Sequence, residues 1–70
     1  MEKLAENLKR IRQERGLTQA QVAKRIPVDR TTYTKYENGI AEPHLGNLVK
    51  LCDVLQVSPN ELLGWESEKR

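Results

Sequence analysis

Six helix-breaking residues, Gly16, Pro27, Gly39, Pro43, Pro59 and Gly64, cut this chain into stretches too short for long helices. What lies between them repeats with helical period, never with the two-residue alternation of a strand. Leu4, Leu8 and Ile11 form an apolar stripe over a first helix from about Glu2 to Arg15, which Gly16 closes in a left-handed conformation. Thr18, three residues before Gln21, makes a capping box that opens a second helix through about Arg25, with Val22, Ala23 and Ile26 facing inward. Pro27 ends it, because its ring disfavours helical geometry at Ile26 and it has no backbone donor. Asp29 is placed to cap a third helix, stapled by Val28 and Tyr33, that runs to about Asn38 and stops at Gly39. After a loop from Ile40 to Pro43, the residues Leu45, Leu48, Leu51, Cys52 and Leu55 recur at helical spacing in a fourth helix. Ser58, Pro59 and Glu61 then cap a short fifth helix that Gly64 ends.

The expected fold is therefore all-α, a compact five-helix bundle. At 70 residues the chain makes a single domain, expected over residues 1–65, followed by a charged tail at 66–70 without apolar pattern that is expected to fray. The charge is uneven: residues 1–39 hold nine Lys or Arg against five acids, and residues 40–70 hold three against five. A basic half can face phosphates, or it can be an ordinary solvated helix surface. Charged residues interrupt every candidate leader or membrane span, so a cytoplasmic protein is expected. Enzymatic chemistry finds no support, since there is no acid pair, no nucleophile beside a base, and His44 is the only histidine. Cys52 reads as a small buried hydrophobe, and Cys52 with His44 lacks the further ligands of a metal site, so no cofactor or metal is expected.

The second and third helices are joined by about three residues, the length that sets two helices at a steep angle in a helix-turn-helix. Leu17-Thr18-Gln19, Val22-Ala23, Tyr36-Glu37-Asn38-Gly39, Pro43, Leu48, Leu51, Val57-Ser58 and Leu62-Leu63 together resemble the Cro/C1-type (XRE-like) helix-turn-helix family of phage and bacterial repressors. The resemblance runs from about Leu4 to Leu63. It implies the lambda-repressor-like DNA-binding fold, double-stranded DNA as partner, and sequence-specific binding as a homodimeric repressor on an inverted repeat. A protein-interaction module of the antitoxin kind is the alternative on the same fold.

That resemblance also assigns roles. Gln19 and Asn38 would contact phosphates, joined by His44 with the backbone N–H groups of Gly46 and Asn47. Such contacts orient a protein on DNA without reading sequence. Base reading would fall to the front of the third helix, to Arg30, Thr31, Thr34 and Lys35. Arg30 is the leading candidate, because its fork can bond guanine O6 and N7 together; the competing reading lays it over the first helix. Tyr33 and Tyr36 are expected in the core. Glu37 would pair with Arg12 as a structural ion pair. Leu62, Leu63 and Trp65 form the candidate dimer interface, although Trp65 could instead close the core. Pro27 stands where relatives commonly carry Gly or Asn, so the turn must be built without a left-handed residue.

Overall fold

The computed structural model describes residues 2–65, and side chains from Lys3 onward; the expected fraying of residues 66–70 lies outside the described residues. Five helices follow in order: α1 (Glu2–Glu14), α2 (Gln19–Arg25), α3 (Arg30–Glu37), α4 (Leu45–Leu55) and α5 (Pro59–Leu63). No strand occurs among the described residues. Among the described residues no helix is long and apolar enough to cross a membrane. α1 packs on α3 and α5, α2 on α3 and α4, and α4 on α5.

α2, α3, α4 and α5 each begin where a side chain takes an orphan N–H. Thr18 and Ser58 form reciprocal capping boxes with Gln21 and Glu61, and the Asp29 carboxylate accepts from the Thr32 N–H at 3.1 Å. Sequence reasoning missed the cap of α4: His44 Nδ1 accepts from the Asn47 N–H at 3.3 Å. The helix ends use left-handed residues at Gly16, Gly39 and Gly64, and at Gln56, whose amide turns back to the Asp53 carbonyl at 2.7 Å. The turn between α2 and α3 has no residue of positive φ. Instead Ile26 sits at φ −99°, and the Val28 N–H reaches the Ala23 carbonyl at 2.9 Å across Pro27.

Leu8, Val22, Ile26, Tyr33, Leu51, Leu55 and Leu62 are the largest fully buried side chains, drawn from all five helices. Leu62 is a correction, since a side chain sealed inside the bundle cannot form the dimer surface expected of it. In a helix of only five residues one side chain faces the core squarely. Leu62 takes that position, Leu63 is half-buried against the same cluster, and Trp65 is left 61% exposed rather than closing the core. Tyr33 and Tyr36 are both buried, edge to face with ring centroids 6.2 Å apart.

Polar ties hold the outer helices on. The Asn7 amide donates to the Leu62 carbonyl at 3.0 Å, joining α1 to α5. Arg15 donates to the Leu55 and Gln56 carbonyls at 2.7 and 3.2 Å, closing the end of α4. Gly64 ends α5 at φ +73°, and a Cβ there would lie 3.0 Å from Lys3 Cδ and 3.2 Å from the Asn7 amide nitrogen. Gly64→Ala should therefore lower stability by about 1–2 kcal/mol, from left-handed strain alone, before any loosening of the Asn7 tie. Urea unfolding should show the midpoint falling with an unchanged slope.

Candidate nucleic-acid interface

α3 is held from within. Successive residues turn by about 100° around a helix, so Tyr33, Tyr36 and Glu37 share the inner face, and all three are buried. Thr31, Lys35 and Asn38 then fall opposite the core, one turn apart. Arg30 and Thr34 form a second row on the flank. Arg30, Thr31, Lys35 and Asn38 are exposed, and Thr34 is half-buried. Arg30 makes no hydrogen bond or ion pair among the described residues.

Beneath this face lies a buried ion pair. Arg12 of α1 meets Glu37 of α3 through two bonds, Nε to Oε2 at 2.5 Å and Nη2 to Oε1 at 3.1 Å, while its Nη1 donates to the Leu17 carbonyl at 2.9 Å. The Tyr33 hydroxyl donates to Glu37 Oε2 at 2.5 Å, and the Gln19 amide nitrogen donates to Oε1 at 3.1 Å. Four hydrogens thus reach one carboxylate, about its full accepting capacity. No described buried side-chain polar atom is left without a partner.

The ionisation behaviour follows from this cage. Burial alone pushes the Glu37 carboxyl upward, but the hydrogen bonds from Arg12, Tyr33 and Gln19 outweigh it and hold the group below the usual carboxylate range. Glu37 raises the Arg12 guanidinium in return, against some desolvation. Burial, followed by the bond to the Glu37 carboxylate, drives the Tyr33 phenol far up, so it stays a donor. Asp29 is held low by its bonds to Thr32. Burial also raises the Cys52 thiol, which keeps it in the inert form expected of a core cysteine.

Among the residues expected to touch DNA, the structure brings Gln19 and Thr34 into direct contact. The Thr34 hydroxyl donates to Gln19 Oε1 at 3.0 Å. With that hydrogen taken, Thr34 has none to give a base, and its methyl group and lone pairs remain. Gln19 keeps one amide hydrogen that no described residue accepts. His44 is not brought into this group, because its Nδ1 caps its own helix and occupies the Asn47 N–H that was expected to meet a phosphate. The basic excess of the first half is also thinned: Arg12 and Arg15 serve the scaffold, and Arg10 pairs with Glu14 at 3.4 Å. Lys24, Arg25, Arg30 and Lys35 make no hydrogen bond or ion pair among the described residues, so α2 and α3 carry four such exposed cations, with Lys9 a further one on α1.

Several contacts escaped the sequence reading. The Asn47 amide donates to the Tyr36 hydroxyl at 3.2 Å inside the protein. A buried tyrosine needs a partner for its hydroxyl, so Glu37 one turn after Tyr33 was a usable signal. Nothing comparable marked Asn47, or the exposed Ile40, Leu45 and Val49 at 72%, 75% and 53%.

A helix-turn-helix family model matches residues 8–62, and the chain belongs to that family, the Cro/C1-type its motifs resemble. It is 41% identical over 68 residues to the cryptic phage CTXphi transcriptional repressor RstR of Vibrio cholerae, covering 96% of this chain and 61% of that protein. It is 38% identical over 66 residues to the uncharacterized HTH-type transcriptional regulator YqaE of Bacillus subtilis, covering 94% and 57%. Over 61 residues it is 34% identical to the HTH-type transcriptional activator BcrR of Enterococcus faecalis, covering 87% of this chain and 30% of the activator. The chain thus spans about three fifths of the first two relatives. All three carry the names of transcriptional regulators and none that of an enzyme.

Removing either partner of the ion pair strands the other charge, so Arg12→Ala and Glu37→Ala should each cost about 3 kcal/mol or more in urea unfolding. The pH dependence has a fixed sign. Glu37 is more acidic folded than unfolded, so the unfolded chain takes up a proton first as pH falls below about 4.5. Stability should be flat from pH 7 to about 5 and decline below that, and Glu37→Gln should flatten the decline.

Proposed function

We propose that the chain reads double-stranded DNA as a homodimeric transcriptional repressor, laying α3 of each copy in successive major grooves of an inverted-repeat operator. The observation that carries this reading is the outer face of α3. Thr31, Lys35 and Asn38 stand exposed there, with Arg30 exposed on the flank beside them, on a helix whose inner face is fixed by Tyr33, Tyr36 and Glu37. Such a helix presents a rigid set of donors without deforming its scaffold. Arg30 is positioned for guanine, Thr31 for a thymine methyl group or an acceptor, and Lys35 for guanine or phosphate. Gln19, with its remaining amide hydrogen, and Asn38 supply phosphate contacts. The likeness to a phage repressor supports the repressing sense.

One domain of this size touches few base pairs, and pairing two copies about 34 Å apart doubles the site. Trp65, with Leu63 beside it, supplies exposed apolar surface for that pairing. Ile40, Leu45 and Val49 are the apolar surface on which the alternative, a protein-interaction module, would draw.

Selection of bound duplexes from a random pool tests the reading. Enrichment of an inverted repeat supports it, and recovery of sequences no different from the input contradicts it and favours the protein-interaction module. On the selected duplex, Arg30→Ala should flatten preference at one base pair per half-site, at a cost of about 1–3 kcal/mol. Gln19→Ala should weaken all duplexes about equally. Affinity should fall with salt, with a log–log slope of about −0.9 per phosphate neutralised. Sedimentation of Trp65→Ser should show a monomer where the parent is a dimer; a persisting dimer would remove Trp65 from the interface.

A further inference from the structure

The resemblance to repressors places Thr34 among the residues that read bases, but its bonding points to a different task. Glu37 is a carboxylate and can only accept, so the Gln19 amide must turn its NH2 toward Glu37 and its oxygen toward Thr34. An amide turned the other way would set its oxygen against the carboxylate, a repulsion that the Thr34 hydroxyl, able to donate or accept, could not offset. The Thr34 hydroxyl on one side and the Glu37 carboxylate on the other therefore clamp Gln19 in one orientation. One amide hydrogen remains that no described residue accepts, and such a donor suits a phosphate, which only accepts.

We infer that Thr34 is a positioning residue for Gln19: its hydroxyl holds the amide so that the spare N–H meets a DNA phosphate, and it carries no base discrimination of its own. The inference rests on the DNA-binding reading. It goes beyond it by moving Thr34 from sequence readout to backbone anchoring and by making Gln19, Thr34 and Glu37 one unit. Arg12 and Tyr33 extend that unit into the core, since both hold the carboxylate that orients Gln19.

The test measures binding to the duplex recovered from random-pool selection and to a scrambled duplex, by fluorescence anisotropy. Thr34→Val keeps the shape and the methyl surface and removes the hydroxyl. It should weaken both duplexes by the same factor, about 3- to 10-fold, the effect of one hydrogen bond, with base preference unchanged on a panel of single-base-pair variants. Thr34→Ser, which keeps the hydroxyl, should restore most of the affinity. In a Gln19→Ala background Thr34→Val should have no further effect, which a merely structural role for Thr34 would not produce. Loss of discrimination at one base pair on Thr34→Val, or an undiminished loss of affinity in the Gln19→Ala background, would overturn the inference while leaving DNA binding intact. Absence of binding by the parent chain to any duplex would instead overturn the DNA reading, and the inference with it.

Discussion

The contact between Arg12 and Glu37 is the constraint on which the site depends. Taking two charges out of water is costly, and apolar side chains of similar volume would often serve stability as well. Four hydrogens converge on the carboxylate here, from α1, from the start of α2 and from α3 itself, so three helices are fixed at one point. An apolar replacement would fill the volume without setting the direction of any of those groups. The pair therefore connects packing with function, because the same carboxylate that seats α3 on α1 also orients Gln19 on the surface.

The rest of the bundle follows from its shortness. Helices of five to thirteen residues are marginal alone, so capped starts and forced stops matter to them. Thr18, Asp29, His44 and Ser58 provide four of the starts, and Gly16, Gly39, Gln56 and Gly64 lie at four of the stops. α2 and α3 are joined differently, through Ile26, Pro27 and Val28, with no left-handed residue. That arrangement keeps the connection short. It leaves the outer side of α3 uncovered while its inner side is sealed by two tyrosines and the ion pair.

Much of this architecture was legible in the residues themselves, because caps and breakers act locally and apolar period records which face is inside. The Arg12–Glu37 pair was legible through the family resemblance rather than from spacing. Other features depend on which helices meet, and no local pattern reports that. Thr34 and Gln19 are fifteen positions apart and bond only because α2 crosses α3. Arg15 reads as part of a basic face until the end of α4 arrives beside it. At the carboxyl end, Leu62, Leu63 and Trp65 looked equivalent as apolar residues, and a helix of little more than one turn gave too few positions to tell the buried one from the exposed one. His44 was expected to meet a phosphate, but its ring Nδ1 serves its own helix.

The most direct measurement of the central claim, that the outer face of α3 with Gln19 is the surface that meets DNA, is a nuclear magnetic resonance titration of the 15N-labelled chain with duplex DNA at low salt. The account predicts that the largest changes fall on the amides of Gln19, Arg30, Thr31, Lys35 and Asn38 and on the Gln19 side-chain NH2. Changes confined to α1 and α5, or none at all, would contradict it.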